Sequence, residues 1–255
     1  MRKSGIWAAA GFVLAVVAGG PGWAQSCRQS EPFERWLATF KQEAAQQGIS
    51  RQTIAAALDG MTYDPSIVAR DRRQGFFAQS FVDFSNKLIS QDRLQRGARA
   101  LETHRALFSK VEQTYGVPGP VIAAFWALES DFGGSMGKLP VLRSLATLAY
   151  DCRRPDMFRK ELMDALRVID RGDLRPSEMI GSWAGELGQT QFLPSLYYQF
   201  AVDFDGDGRR DLLHSPADVV ASTAAYLVHL GWQRGQPWLE EVRVPPSLSW
   251  DQADL

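Results

Sequence analysis

Apolar residues recur at steps of three and four along most of this chain, the period of one face of an α-helix. Phe33, Trp36, Leu37, Phe40 and Ala44 keep that step until Gly48. Ser50 then stands as an N-cap before a short helix from Thr53 to Leu58, which Gly60 stops. Phe76, Phe77, Phe81 and Phe84 form a further core stripe. Leu94, Ala98, Leu101, Phe108 and Val111 predict one longer helix that ends before Gly116-Val117-Pro118. In the next stretch, Pro118 to Gly137, Pro120 suits a first helical turn and Gly133-Gly134 suit a stop. Ile122, Phe125 and Glu129 are separated there by helical steps, which puts a carboxylate at the end of an apolar stripe that Phe132 extends.

Two more helices follow, one over Val141 to Tyr150 and one carrying Phe158, Leu162, Leu166 and Ile169 up to Gly172. The period then fails. Ser182 to Pro194, SWAGELGQTQFLP, is rich in glycine, amides and aromatics, and is apolar enough to be ordered while lining something. Ser215-Pro216-Ala217-Asp218 reads as a cap with proline at the first helical position, opening a helix through Val220, Thr223, Ala224 and Leu227 to Gly231. Trp238 to Leu255 is interrupted by proline and reads as a linker or the start of something longer. No segment holds the two-residue period of a strand, so the expected fold class is mainly α.

Hydrophobic residues make up 45% of 255, enough for a sizeable core, and the net charge of −1 gives no drive towards nucleic acid or an anionic membrane. The N-terminus changes the picture more. Arg2 and Lys3 precede an apolar run from Ile6 to Gly19, then Gly22-Trp23-Ala24, the pattern of a secretory signal over residues 1–24. The run is short for a membrane span and Gly19-Gly20-Pro21 breaks it. In an oxidising compartment the only two cysteines, Cys27 and Cys152, are expected to form one disulfide, with two free buried thiols as the alternative. His104, His214 and His229 fall in no metal-ligand spacing.

Three candidate chemistries emerge. Desolvation on an apolar face disfavours a charged carboxylate, so Glu129 would keep its proton as a general acid must; a half-buried Glu paired with an arginine is the structural alternative. Gly133-Gly134-Ser135-Met136-Gly137 matches the serine nucleophile elbow in letters, yet the residues before it prefer helix to the strand that elbow needs. Asp203, Asp205, Asp207 and Asp211 stand at positions one, three, five and nine of an EF-hand-like loop with Gly206 at six, but His214 holds position twelve. That loop reads as a weakened structural calcium site or as a metal-free turn held by Asx hydrogen bonds.

Leu128-Glu129-Ser130-Asp131-Phe132-Gly133, Gly181-Ser182-Trp183-Ala184-Gly185, Gly188-Gln189-Thr190-Gln191-Phe192-Leu193-Pro194 and the Asp203 loop, in this order, resemble the lytic transglycosylase B family. The resemblance implies a lysozyme-like (goose-type/lytic transglycosylase) helical catalytic domain over residues 25–255, with an accessory helical lobe at about 30–115 and an active-site core at about 116–235. Family members continue beyond the point where this chain stops, so it reads as C-terminally short. The implied reaction cuts the β-1,4 bond between N-acetylmuramic acid and N-acetylglucosamine in peptidoglycan and closes the muramic O6 onto C1. Glu129 would act as acid and then base, while Ser182 and Gln191 would hydrogen-bond near Glu129 and to the acetamido sugar. No cofactor is required beyond the candidate structural calcium. The implied partners are peptidoglycan glycan strands and cell-wall synthesis or remodelling proteins, met in the periplasm by a monomer.

The residues fit a one-acid mechanism independently, because Asp131 lies about 200° around a helix from Glu129 and so is no second positioned carboxylate. Glu186, in the glycine-rich loop, reads as structural or peripheral. Trp183, Tyr197 and Tyr198 would either stack on sugars or pack in the core. The rival readings are a lysozyme-type muramidase using water, a non-catalytic peptidoglycan-binding homologue, and a serine hydrolase acting through Ser135.

Overall fold

The structure, a computed structural model, describes residues 31–73, 80–237 and 239–249. Residues 1–24 and Cys27 lie outside them, and so do the expectations of a signal peptide and of a Cys27–Cys152 bond. Of the phenylalanine stripe, Phe76 and Phe77 also lie outside, while Phe84 is half-buried.

Helices dominate, and their starts are chemically marked. They are α1 (Phe33–Gln46), α2 (Arg51–Leu58), α3 (Pro65–Arg72), α4 (Phe81–Leu88), α5 (Gln91–Thr103), α6 (Arg105–Tyr115), α7 (Gly119–Ser130), α8 (Val141–Tyr150), α9 (Pro155–Asp170), α10 (Pro194–Phe200) and α11 (Pro216–His229). Ser50, Asp64, Ser80, Ser90 and Ser215 each accept a hydrogen bond from a first-turn N–H, satisfying donors that a helix start leaves open. No helix among the described residues is long and apolar enough to cross a membrane.

The single helix expected through Leu94 and Val111 is two, α5 and α6, broken at His104. The break brings Leu101 and Phe108 to either side of Gly119, where a Cβ would sit only 3.2 and 3.3 Å from their side chains. Helix α7 therefore starts in a notch that a larger residue would fill.

At the centre, α8 and α9 bury most of their length, with Leu145, Ala146, Leu162, Ala165 and Leu166 fully enclosed. Helices α1 to α3 cover this pair from one side, and α10 packs on α9. Helix α7 lies among α5, α6 and α11. One connected hydrophobic core runs from Phe33 to Leu227 through these elements other than α5, whose half-buried Ala100 and Leu101 pack against it. Residues 239–249 carry no helix or strand, and their Leu239, Val242, Val244 and Leu248 are exposed.

The sequence reading missed a small sheet. Strands β1 (Leu139–Pro140) and β2 (Ile180–Gly181) pair antiparallel, Leu139 opposite Gly181 and Pro140 opposite Ile180. Two residues are too few to show a period, so only tertiary pairing reveals them. The ladder continues as bridges from Gly181 to Leu187 and from Leu187 to Phe192. It ties the turn after α7 to the glycine-rich loop. Gly137 makes the crossing possible: its φ is +90° and a Cβ there would lie 2.1 Å from the Gly181 carbonyl.

Candidate active site

Helix α7 turns Gly119, Ile122, Ala123, Trp126, Ala127 and Ser130 inward. At about 100° per residue these span an arc whose middle lies about 90° from Glu129. Glu129 thus stands at the rim of the buried face and opens to solvent. Phe125, expected beneath it in the stripe, is 41% exposed, and Leu128 beside it is 48% exposed. The apolar surface next to the carboxylate is the wall of an open face. The protein around Glu129 still removes enough water to push its carboxyl above the usual carboxylate value, and the negative charge of Glu186 pushes the same way.

The turn after Glu129 is held by strain matched to contacts. Asp131 and Phe132 both have positive φ, 52° and 59°, a region that non-glycine residues avoid. The Asp131 carboxylate accepts hydrogen bonds from Arg93 Nε at 2.9 Å and Arg96 Nη2 at 3.1 Å, and its carbonyl accepts from Arg96 Nη1. Those partners, Arg93 first, hold the Asp131 carboxyl below its ordinary value. It is a fixed anion in a clamp, not a second acid. Phe132 does not extend the Glu129 face; its ring meets Trp126 edge-on at 5.6 Å and lies under the Arg96 guanidinium.

Gln189, which the sequence reading assigned no role, is the buried cross-link of the site. Its Oε1 accepts from Trp126 Nε1 at 2.8 Å and its Nε2 donates to the Leu213 carbonyl at 2.8 Å. Its backbone carbonyl accepts the Ser130 hydroxyl, whose oxygen in turn accepts from Gly133 N. One side chain thus joins α7, the glycine-rich loop and the turn before α11. Burial of an amide in a periodic-free loop gives no sequence signal beyond its company of glycines.

Gln191 sits in the left-handed region with φ 50°, and its Nε2 donates to the carbonyls of Gly188 at 2.8 Å and Met136 at 3.4 Å. Its Oε1 has no protein donor among the described residues. The Ser182 hydroxyl donates to Glu186 Oε2 and accepts from the N–H groups of Ala184 and Glu186. Glu186 braces this loop by accepting the Ser182 hydroxyl, and its charge is the second cause, after desolvation, that raises the Glu129 carboxyl.

The serine-elbow letters lie in the turn and loop that follow helix α7, with no strand before them, and among the described residues no histidine bonds Ser135. Tyr197 is a core residue, fully buried, with its hydroxyl between Arg210 O and Leu212 N. Tyr198 lies at the surface under Arg171, and Trp183 is half-buried against the core.

The aspartate loop is rearranged relative to EF-hand spacing. Carboxylate oxygens of Asp203, Asp205 and Asp218 all come within 4.8 Å of one another, hard donors of the kind calcium takes. Asp207 and Asp211 do not belong to this cluster; Asp207 accepts from Arg209 N and Asp211 from Leu213 N and His214 N. Asp218, fully buried in α11, replaces them. Its carboxyl is raised by desolvation and further by the charges of Asp205 and Asp203. The Asp203 carboxylate meanwhile accepts from Gly206, Asp207 and Gly208 N–H groups, an Asx-type loop that stands by itself. Three converging acids, one of them desolvated, fit a divalent cation.

A family profile described as Transglycosylase SLT domain matches residues 32–255. Membrane-bound lytic murein transglycosylase B of Escherichia coli (strain K12) is 35% identical over 157 residues, 61% of this chain and 43% of that protein. The crystal structure of SltB3 from Pseudomonas aeruginosa in complex with NAG-NAM-pentapeptide superimposes with a TM-score of 0.82 at 42% identity, over 87% of this chain and 59% of that one. Escherichia coli Slt35 in complex with calcium superimposes with a TM-score of 0.72 at 31% identity, over 82% and 66% of the two chains. This chain therefore spans less than two thirds of the length of each of these relatives.

Proposed function

The chain belongs to the transglycosylase SLT domain family, and from that membership we propose that it is a peptidoglycan lytic transglycosylase. The observation that carries the reading is Glu129: an accessible carboxyl at the rim of α7, raised by burial and by a neighbouring acid, with Asp131 withdrawn into its arginine clamp. A raised carboxyl holds the proton that a glycosidic oxygen needs as the MurNAc–GlcNAc bond breaks. The resulting carboxylate takes the proton of the muramic O6 hydroxyl as that oxygen closes onto C1, leaving a 1,6-anhydro end. Gln191 Oε1, without a protein donor, is available to accept an acetamido N–H. The relative SltB3 in complex with NAG-NAM-pentapeptide supports the substrate class.

The same reading places the protein in the periplasm, delivered by residues 1–24 and tied by a Cys27–Cys152 disulfide, acting as a monomer on glycan strands alongside cell-wall remodelling proteins. Calcium would be held by Asp203, Asp205 and Asp218 and would brace the loop rather than take part in the chemistry; the complex of Slt35 with calcium supports the choice of ion. Mass spectrometry of the soluble products from purified peptidoglycan tests the activity. Anhydro-muropeptides from the parent and none from Glu129→Gln are expected. Reducing-end muropeptides would replace the reading with a water-using muramidase, and glycan binding without products would replace it with a binding protein.

A further inference from the structure

We propose that a cleft between α5 and α7 binds the peptide stem of the substrate proposed above, on which this inference rests, and that Arg99 holds a stem carboxylate there. The cleft exists because α5 is fixed towards its two ends and stands off in between. Arg93 and Arg96 hold Asp131 near its start, and Leu101 near its end lies against the notch that receives Gly119. The positions turned towards α7 between these points include the small Gly97 and Ala100, and no residue of α5 is buried. What remains is a cavity of about 410 Å³, within the range of small-ligand sites. Its floor is aromatic: the rings of Trp126 and Phe132 meet edge-on at 5.6 Å, and the His104 ring stands 6.0 Å from Trp126. The polar atoms of Trp126 and Gln189 are already engaged, since Trp126 Nε1 donates to Gln189 Oε1 and Gln189 Nε2 donates to the Leu213 carbonyl. An incoming group therefore meets mainly apolar surface below it.

Charge comes from the rim. Among the described residues no acid lines the cleft. Arg96 is matched by Asp92 and Asp131, and Glu102, the other acid of α5, takes Arg105. Arg99 is exposed and, among the described residues, has neither an ion pair nor a hydrogen bond. A planar guanidinium with its donors free, above aromatic surface, suits a carboxylate on a small apolar carrier. A peptidoglycan stem, short apolar residues carrying free carboxylates, has that chemistry, and a neutral glycan does not. The cleft is also within reach of the acid. Trp126 precedes Glu129 by three residues, about 60° around α7 and about 4.5 Å along its axis, whereas a stem of five residues spans at most about 17 Å.

Calorimetric titration of the full chain tests the assignment with three probes: synthetic stem pentapeptide, the same peptide amidated at every carboxyl, and peptide-free GlcNAc-MurNAc, whose lactyl carboxylate is free. Parent, Arg99→Ala and Arg99→Lys are compared; Arg99 is exposed, so both variants keep the fold. The pentapeptide is expected to shift the amide NMR signals of Gly97 and Ala100 in the parent. It should bind Arg99→Ala about tenfold more weakly, the equivalent of one hydrogen bond to a charged group, and Arg99→Lys should restore part of that loss. Amidation of the peptide should weaken binding to the parent at least as much. Equal binding of the pentapeptide by parent and Arg99→Ala, or unmoved Gly97 and Ala100 signals, overturns the site. A loss confined to the disaccharide in Arg99→Ala overturns the stem assignment and gives Arg99 to the lactyl carboxylate. Peptide binding that depends on Arg99, with no products from peptidoglycan, upholds the cleft and removes the proposed activity instead; products without peptide binding do the reverse.

Discussion

Arg93 reaches from α5 to Asp131, two residues past Glu129, and sets its Nε 2.9 Å and its Nη2 2.8 Å from the same carboxylate oxygen. The contact matters because of the backbone it serves. Asp131 and Phe132 are both left-handed, a conformation that costs non-glycine residues about 1 to 3 kcal/mol each and persists only where surrounding contacts enforce it. The clamp is what lets α7 end with Glu129 facing out.

Asp131→Asn keeps the size of the side chain and removes its charge, and at this partial exposure the loss is about 1 kcal/mol at most at neutral pH. The Asp131 carboxyl is held below its ordinary value, by Arg93 first. Its contribution is therefore complete above the carboxylate range of the unfolded chain and fades as pH falls through the lower folded value. Thermal melts of parent and variant are expected to be separated at pH 7 and to converge in acid. A separation that persists in acid would assign the effect to shape rather than charge.

Glu129→Gln is expected to lower turnover about a thousandfold or more, within the range general acids contribute, without unfolding the protein. For a carboxyl raised in the folded state, ionisation opposes folding above the unfolded value, so the neutral amide melts no lower than the parent at pH 7. A lower melting temperature would show that Glu129 is a structural partner, the reading that its solvent-open position argues against.

Gln189→Ala leaves the Trp126 indole N–H and the Leu213 carbonyl without their partner. Unpaired buried polar groups cost about 1 to 3 kcal/mol each, so urea unfolding should show a loss of about 3 kcal/mol. Activity should fall with it, since the same amide joins α7 to the loop that carries Ser182 and Gln191.

Gly137→Ala places a Cβ on the Gly181 carbonyl and demands a positive φ from alanine. The ladder between β1 and β2 must open, at a cost of more than about 2 kcal/mol. Faster amide exchange at Gly181 and Leu187 in the variant would report the opening.

Calcium at a hundredfold excess over its dissociation constant should add about 2.7 kcal/mol to stability. The gain should vanish in Asp218→Asn but survive in Asp211→Ala, because Asp218 belongs to the carboxylate cluster and Asp211 does not. Equal loss in both variants would return the site to EF-hand spacing.

The helices were legible because their evidence is local. Ser50 before Thr53, proline at the first turn of α7 and α11, and apolar steps of three and four each act within one or two turns of chain. The acid at the end of α7 was legible for the same reason, together with the ordered motifs around Gly181 and Gly188. The break at His104 was not. No glycine or proline marks it; what marks it is Gly119 lodged between Leu101 and Phe108, a contact across the fold.

The chain by itself determined its mainly helical class, its family, and the identity of Glu129, Ser182 and Gln191 as the residues to watch. Only the tertiary structure decided which partners those residues take. It put Glu129 at the rim of the buried arc rather than within it, gave the Ser182 proton to Glu186, and drew Asp218 rather than Asp207 or Asp211 to Asp203 and Asp205. Periodicity reports which way a side chain leaves its own helix. Hydrogen bonds and charges act over a few ångströms between segments far apart in the chain, and only folding brings those segments together.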